Sequence, residues 1–174
     1  MNLQIFSKAV LQDMLDNEEQ LFSHCISIND PGSFPLRDPY SFFIRILRLE
    51  FEDINFNANR NSGKALPTEN TIKEIVGFYN DTKDEADGYT VHCHAGISRS
   101  PAAGLMLLYL DTKSEEQAFS RLLEIKDFCL PNRIMIDIFD RLYGSKLSEI
   151  NYLIWKQYYP TVSGRPIDEI WDEV

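Results

Sequence analysis

The sequence has little that would suit it to secretion, to a membrane or to nucleic acid. Its three cysteines, Cys25, Cys93 and Cys129, are too few and too scattered for a disulfide framework. No stretch approaches the roughly 18 uninterrupted apolar residues of a membrane span, and the first residues lack the basic segment and apolar run of a secretory signal. The net charge of −10 disfavours a general binder of nucleic acid or anionic membrane. These absences predict a soluble protein of a reducing compartment, the cytoplasm.

What is present indicates a globular domain. The 174 residues are 44% hydrophobic and 25% charged, close to globular averages, and their number fits a single α/β domain with one core. The last residues are polar and interrupted by proline and glycine. We therefore expect one domain over residues 1–160 and a polar C-terminal tail over residues 161–174, to which the sequence assigns no role.

Hydrophobic patterning predicts strands early in the chain and helices late. The strands are expected at Leu3–Phe6, Cys25–Ile28, Ile44–Phe51 and Tyr89–His92. The helices are expected after Ser7, from Thr68, over Ser100–Leu110, from a capping box at Ser114 to about Lys126, over Asn132–Tyr143 and over Leu147–Tyr158. A long polar loop, residues 52–67, separates the third strand from the next helix. This order predicts a central, mostly parallel sheet flanked by helices.

The most informative segment is the tight loop that begins at Cys93 and ends at Arg99. A loop from the carboxyl end of a strand into a helix N-terminus directs unpaired amides into one concavity, which favours anions. Gly96 lets the backbone turn sharply, and Arg99 can offer two parallel donors to phosphate oxygens. Amides, helix dipole and guanidinium all favour the thiolate of Cys93, a candidate nucleophile at the floor of the concavity.

This chemistry needs no metal ion and no other cofactor, because the loop itself supplies the positive charge that phosphoryl transfer requires. The phosphate contacts are expected from His94, Ala95, Gly96, Ile97, Ser98 and Arg99.

The segment VHCHAGISRSPAA closely resembles the signature of dual-specificity-like protein tyrosine phosphatases, and the wider arrangement resembles a compact bacterial group of tyrosine phosphatases. The resemblance covers roughly residues 44–145 and includes LRLEFED and LPN, which lie before and after the signature. It implies a cysteine-based phosphatase that passes through a phosphocysteine at Cys93 and acts on a phosphorylated protein or peptide.

The same resemblance implies supporting roles outside the nucleophile and Arg99. Ser100 would steady the thiolate as a leaving group, His92 would orient the base of the loop, and Asn132 would buttress it. The family also uses an aspartate on a separate loop, first as general acid and then as base. Asp53, which follows the third strand, is the first choice for this role and Glu52 is the nearest substitute. Later aspartates are weaker choices: Asp81, Asp84 and Asp87.

Plainer interpretations stand beside these roles. Asp53 and Glu52 also fit solvated charges at a strand end, and Asn132 fits an ordinary helix cap. A zinc site is not indicated, because Cys93 would point away from the histidines on either side of it in an extended segment, and His24 is the only other histidine.

Rival functions also remain open. One is a phospho-binding module with little turnover, which would lack a working general acid. Another is a thiol transferase or reductase, which would want a second cysteine near the loop. The loop contains no lysine, which disfavours a polyanionic inositol lipid as substrate, and the net charge disfavours RNA 5′-phosphate.

Overall fold

The computed structural model describes residues 1–33, 36, 42–55, 63–162 and 164–171. Four strands form the main sheet and six helices of nine residues or more pack around it. In chain order the elements are β1 (Leu3–Ser7), α1 (Lys8–Asp16), β2 (His24–Asn29), β3 (Arg45–Glu50), α2 (Glu69–Thr82), β4 (Tyr89–Cys93), α3 (Arg99–Thr112), α4 (Glu115–Ile125), α5 (Arg133–Tyr143), α6 (Leu147–Tyr158), β5 (Thr161–Val162), β6 (Arg165–Pro166) and α7 (Ile167–Ile170). Of the predicted 52–67 loop, residues 56–62 lie outside the described residues.

The sheet has the strand order β1-β4-β2-β3, and every pairing in it is parallel. The two central strands, β2 and β4, are buried along their whole length, as strands covered on both faces must be. Because all four strands point the same way, their carboxyl ends share one edge of the sheet, where Ser7 pairs with Cys93 and Asn29 with Glu50. The predicted fold class, a single α/β domain with a parallel sheet between helices, is confirmed.

The central helix α3 follows β4 and is buried from its first residue through Leu108, which agrees with its nearly all-apolar sequence. It packs on β1 and β4 and contacts α2, α4 and α5. On the opposite face of the sheet, α1 buries Leu11 and Leu15 with Cys25. The strand that ends at Cys93 is therefore held from both sides.

The described part of the C-terminal segment, which ends at Trp171, packs against the rest of the domain. A two-stranded hairpin, β5 and β6, leads into the short helix α7. Ile167 and Trp171 are 1% and 9% exposed and form a cluster with Leu130 and Trp155. The segment expected to be a polar tail thus carries two buried apolar side chains. No helix in the described ranges has both the length and the hydropathy to cross a bilayer.

Candidate active site

The carboxyl end of β4 runs directly into a tight loop, residues 94–98, and then into α3. Cys93 is the last residue of the strand and Arg99 is the first of the helix. The sulfur of Cys93 accepts hydrogen bonds from the backbone N–H of Gly96 and from the hydroxyl of Ser100, each at 3.2 Å. Both donors are placed to stabilise negative charge on the sulfur.

Cys93 lies at the floor of this loop. The residue is fully buried, whereas His94 and Ala95 at the rim are exposed. A reacting group would therefore have to enter the loop to reach the sulfur, and a group as small as a phosphoryl is the kind that could do so.

The loop rests on the junction between β1 and α1. Gly96 has a φ of +72°, and a Cβ at this position would lie 2.6 Å from the backbone nitrogen of Ser7 and 2.7 Å from the carbonyl carbon of Phe6. The N–H of Lys8 donates to the carbonyl of His94 at 3.2 Å. Glycine is thus required for two reasons, the left-handed backbone conformation and the close approach of a second segment.

The N-terminus of α3 has no side-chain cap. Ser98 occupies the N-cap position, but its hydroxyl makes no bond to the helix. It donates instead to Oδ1 of Asp53 at 2.6 Å. The first-turn amides of α3 and the positive end of its dipole are left to face the loop, an arrangement that attracts an anion.

Arg99 is 2% exposed, and its nitrogen atoms have different surroundings. NH1 donates to the carbonyl oxygen of Phe51 at 2.6 Å and lies 2.8 Å from Oδ1 of Asp30. Nε is buried, lies 3.7 Å from Oδ2 of Asp53 and has no hydrogen-bond partner within the described part of the chain. A buried guanidinium with an unused donor suits an oxyanion.

Asp53 lies against the loop. Its Oδ1 accepts hydrogen bonds from the Ser98 hydroxyl and from the side-chain amide of Asn132, the latter at 2.9 Å. Its side chain is 31% exposed and its Oδ2 faces Arg99. Across the described residues, the carboxylate of Glu52 has no hydrogen bond or ion pair, so of the two candidates, Asp53 and Glu52, it is Asp53 that contacts the loop.

The three alternative aspartates lie elsewhere. Asp81 is in the last turns of α2, and Asp84 and Asp87 lie between that helix and the amino end of β4. They are therefore at the opposite edge of the sheet from Cys93. Asp87 accepts hydrogen bonds from the backbone and hydroxyl of Ser23, which lower the pKa of its carboxyl group.

The segment before α5 joins the loop to Asp53. The N–H of Leu130 donates to the carbonyl of Ile97 at 2.8 Å, and the N–H of Asn132 donates to the carbonyl of Ser98 at 3.0 Å. The side-chain oxygen of Asn132 accepts from the first turn of α5 at 3.1 Å, while its nitrogen reaches Asp53. Asn132 is therefore a helix cap and a bridge to the site at once.

The side chain of His92 bonds to the neighbouring strand of the sheet. Its Nε2 shares a hydrogen bond of 2.7 Å with the hydroxyl of Ser27, which is its partner in the neighbouring strand β2. Burial lowers the pKa of His92 to about 4, so the imidazole is neutral near pH 7. A neutral, hydrogen-bonded ring at this position fixes the end of β4 without adding charge beside Cys93.

An open cavity of about 460 Å³ adjoins the loop. Its lining residues are Ala95, Ile97, Ile125, Lys126, Asp127 and Phe128. The side chains of Ala95 and Ile97 have no hydrogen-bonding atoms, so these two loop residues could bond to a phosphate only through their backbone. Nowhere in the described ranges do three or more His, Cys, Asp or Glu side chains come together in a metal-binding group.

Two residues that sequence reasoning missed are part of this arrangement, Asp30 and Ser27. The sequence around Asp30 indicates only a turn, and Ser27 lies inside an ordinary apolar strand. The signal that could have found Asp30 is its position directly after a buried strand, at the same sheet edge as Cys93. Polar residues at the carboxyl ends of parallel strands often line a site.

A scan against protein-family models gave no match, and a search of curated proteins gave none either. Solved structures do match. Human DUSP28 is 14% identical with a TM-score of 0.58, over 85% of this chain and 92% of DUSP28. Tk-PTP in its active form is also 14% identical, with a TM-score of 0.57, over 86% of this chain and 92% of Tk-PTP.

A third similar structure is PTPMT1 in complex with PI(5)P. It is 17% identical with a TM-score of 0.54, over 89% of this chain and 91% of PTPMT1. These matches span most of each chain, so this protein has the fold of dual-specificity and protein tyrosine phosphatases. The expected resemblance is confirmed at the level of the fold; at such low identity the similarity carries no activity or substrate with it.

Proposed function

We propose that this protein hydrolyses phosphate monoesters without the help of a metal ion and through a phosphocysteine at Cys93. The observation that supports this most directly is the pair of donors on the Cys93 sulfur, inside a loop closed by the buried Arg99. Amides, an uncapped helix N-terminus and a guanidinium converge on one small volume. That combination stabilises an oxyanion next to a nucleophilic sulfur.

In the first step the thiolate of Cys93 attacks phosphorus and the phosphorus–oxygen ester bond breaks. The leaving oxygen takes a proton from Asp53. Oδ1 of Asp53 accepts two hydrogen bonds, whereas Oδ2 accepts none from the described residues and lies 3.7 Å from Nε of Arg99, so Oδ2 is the oxygen that carries the proton. Arg99 and the loop amides hold the equatorial oxygens throughout. The products of this step are the free alcohol and a phosphocysteine.

In the second step Asp53, now a carboxylate, takes a proton from a water molecule as that water attacks the phosphocysteine. The phosphorus–sulfur bond breaks and the electron pair returns to Cys93 as a thiolate. The Ser100 hydroxyl, 3.2 Å from this sulfur, stabilises the charge that develops there. Inorganic phosphate then leaves, and the site returns to its starting state.

The substrate class that fits best is a phosphorylated protein or peptide, with phosphotyrosine the first choice. The cavity beside the loop has apolar walls at Ile97 and Phe128, which suit an aryl ring. The loop carries no lysine, and a polyanionic inositol lipid would need further cations there.

The proposed chemistry also bears on the location of the protein. All three cysteines are free, and a nucleophilic Cys93 needs a reducing compartment, which supports the cytoplasm as the location.

The test is hydrolysis of a small aryl phosphate in the presence of a metal chelator. We expect turnover by the wild type, none by Cys93→Ser, and binding of inorganic phosphate by both. Turnover by Cys93→Ser, or loss of wild-type turnover with chelator, would reject the proposal. Binding without turnover in the wild type would instead favour a phospho-binding module.

The substrate class is tested on matched compounds. We expect a phosphotyrosine peptide to be hydrolysed with a higher kcat/KM than the same peptide with phosphoserine, and than an inositol phosphate. A preference for the inositol phosphate would reassign the substrate and leave the chemistry at Cys93 unchanged.

A further inference from the structure

Asp30 stands beside Arg99 at the active-site edge of the sheet. It directly follows β2, and its Oδ1 lies 2.8 Å from NH1 of Arg99. The side chain of Asp30 is 37% exposed, whereas that of Arg99 is 2% exposed. The carboxylate thus reaches from a partly solvated position to a buried cation.

Hydrogen bonds and close contacts hold the guanidinium at NH1, whereas Nε has only a 3.7 Å contact with Oδ2 of Asp53. NH1 has two partners, the carbonyl oxygen of Phe51 at 2.6 Å and Asp30. Nε has no hydrogen-bond partner among the residues that the structure describes, although it is buried. Leaving a buried donor unpaired is unfavourable, and a bound oxyanion would relieve this cost. Because the guanidinium is planar and rigid, fixing NH1 at two points also fixes the direction of Nε.

We propose that Asp30 is a positioning residue for phosphate binding. Together with the Phe51 carbonyl it holds NH1 of Arg99, so that Nε is presented to the oxyanion. This inference rests on the proposed function. It assigns the ends of two different strands, β2 at Asp30 and β3 at Phe51, to the support of one guanidinium.

The direction in which phosphate binding changes when Asp30 is replaced distinguishes a positioning role from a purely electrostatic one. A carboxylate near the site repels a phosphate dianion and competes with it for Arg99, so removing its charge should tighten phosphate binding if charge alone matters. If Asp30 positions Arg99, removing it should weaken phosphate binding, because a misplaced guanidinium loses its paired geometry with the oxyanion. The two roles therefore predict opposite changes.

The experiment measures binding of inorganic phosphate, and kcat and KM for aryl phosphates, in three variants of Asp30 and in one control variant. We expect Asp30→Asn and Asp30→Ala each to weaken phosphate binding and lower kcat/KM by about tenfold. We expect Asp30→Glu, which keeps the charge, to recover part of the loss. Asp111→Asn is the matched control, since Asp111 forms an ion pair of 2.9 Å with Arg121, outside the site. It should leave both quantities unchanged.

Leaving groups provide a second readout. We expect the loss in Asp30→Asn to be equal for aryl phosphates with good and with poor leaving groups, because Asp30 donates no proton. A larger loss for poor leaving groups would make Asp30 the proton donor and overturn the positioning role. Tighter phosphate binding in Asp30→Asn, or wild-type values in both Asp30→Asn and Asp30→Ala, would overturn it as well.

The outcome for Asp30 is distinguishable from that for the proposed function. If the wild type binds phosphate and hydrolyses aryl phosphates but the Asp30 variants match it, only the positioning role fails. If the wild type does neither, both proposals fail together. Circular dichroism shows whether each Asp30 variant folds. If one of the three does not, the other two are compared with the wild type.

Discussion

The two oxygens of Asp53 have different surroundings, and this asymmetry suits a residue that donates a proton. Oδ1 accepts from the Ser98 hydroxyl and from Asn132, which fix the carboxyl group against the loop. Oδ2 has only the 3.7 Å contact with Nε of Arg99. A carboxyl group held through one oxygen can present a proton on the other at a defined position.

The replacement Asp53→Asn keeps the size of the side chain and removes the titratable proton. We expect kcat to fall by about a hundredfold for an aryl phosphate with a poor leaving group, and by much less for one with a good leaving group, since only the former needs protonation. The measurement is kcat across a series of substituted phenyl phosphates. Glu52→Gln serves as control and should behave as the wild type; equal losses across the series in Asp53→Asn would remove Asp53 from the role.

We expect His92 to make the stability of the protein sensitive to acid. Its pKa of about 4 in the folded state lies below the usual 6.5 because the ring is buried. Between these two values the unfolded state binds more protons, so the free energy of unfolding falls as the pH falls through this window. The contribution, fully present above pH 6.5, is about 3 kcal/mol and is lost by about pH 4.

Urea denaturation of the wild type and His92→Gln at pH 7 and pH 4.5 tests this contribution. We expect the wild type to lose more stability than His92→Gln, by about 2 kcal/mol, because glutamine does not titrate. Each protein serves as its own reference at pH 7, so a general cost of the substitution cancels. Equal losses in both proteins would place the acid sensitivity in other groups.

The sequence could predict the local backbone around Cys93, because all of it lies in one contiguous motif. The turn from Cys93 through Gly96 to Arg99 joins a strand to a helix and needs only local geometry, whereas the roles of these residues stay predictions. Asp30 and Ser27 join the site through β2, and no local pattern reports which strand lies beside β4. Their proximity to the loop is a consequence of strand order, which the sequence does not specify residue by residue.

At the scale of elements, the junction between β1 and α1 supports the loop from Cys93 to Arg99. Backbone atoms of Phe6 and Ser7 occupy the space that a side chain at Gly96 would need. Lys8 then adds a hydrogen bond to the loop at His94. The first strand of the chain therefore helps to shape a loop that lies in the middle of the sequence.

The substitution Gly96→Ala should displace the loop or prevent folding, because its Cβ would lie within 2.6 Å of backbone. We expect a loss of about 3 kcal/mol or more in unfolding free energy, together with loss of turnover. Gly144→Ala is the matched control: Gly144 has a similar φ of +70°, and its Cβ would meet nothing within 4 Å. It should cost only about 1 kcal/mol and leave turnover intact. If the two variants behaved alike in urea denaturation and in activity, the close contact between Gly96 and the β1–α1 junction would not matter for the loop.

The starts of α1, α2 and α4 were predictable from local capping, although the cap of α4 differs in detail. Ser7 and Thr68 accept hydrogen bonds from the first turns of α1 and α2, as their positions indicate. Ser114 caps α4, but its own N–H donates to the hydroxyl of Thr112 rather than to Gln117, so the predicted reciprocal box is not formed. The threonine at the end of the preceding helix competes for the same donor, and a short connection brings it within reach.

At the scale of the whole molecule, the C-terminal segment is tied to the active-site side of the protein. The guanidinium carbon of Arg133 lies 4.5 Å from the centre of the Trp171 ring. Arg133 directly follows Asn132, whose N–H bonds to the loop at Ser98. The cluster of Trp171 includes Ile97 of the loop itself as a partly buried member. The sequence of the C-terminal segment did not predict this contact, because two apolar residues, Ile167 and Trp171, among polar ones are too few to show a helical or strand pattern.

We infer that residues 161–162 and 164–171 fold as part of the domain, and Trp171→Ala tests this. We expect a loss of about 3 kcal/mol in the free energy of unfolding, since the indole is 9% exposed and leaves a cavity when removed. Leu153→Ala on α6 is the control, because Leu153 is 60% exposed and should cost less than about 0.5 kcal/mol. Equal stability of the two variants in urea would mean that the segment contributes nothing to the fold.

The whole molecule carries a net charge of −10 and yet is proposed to bind a dianion. The positive potential must therefore be local, from Arg99, the loop amides and the N-terminus of α3, and enclosed where solvent screens it least. A covalent step at the enclosed sulfur of Cys93 is the most specific consequence of this arrangement.

The direct test is to quench turnover of an aryl phosphate rapidly and to measure the mass of the peptide that contains Cys93. We expect a fraction of this peptide to carry one added phosphoryl group on the sulfur. The fraction should rise in Ser100→Ala, where the thiolate leaves more slowly. Continued turnover with no phosphoryl group on Cys93, or with the group on another residue, would contradict the proposed mechanism.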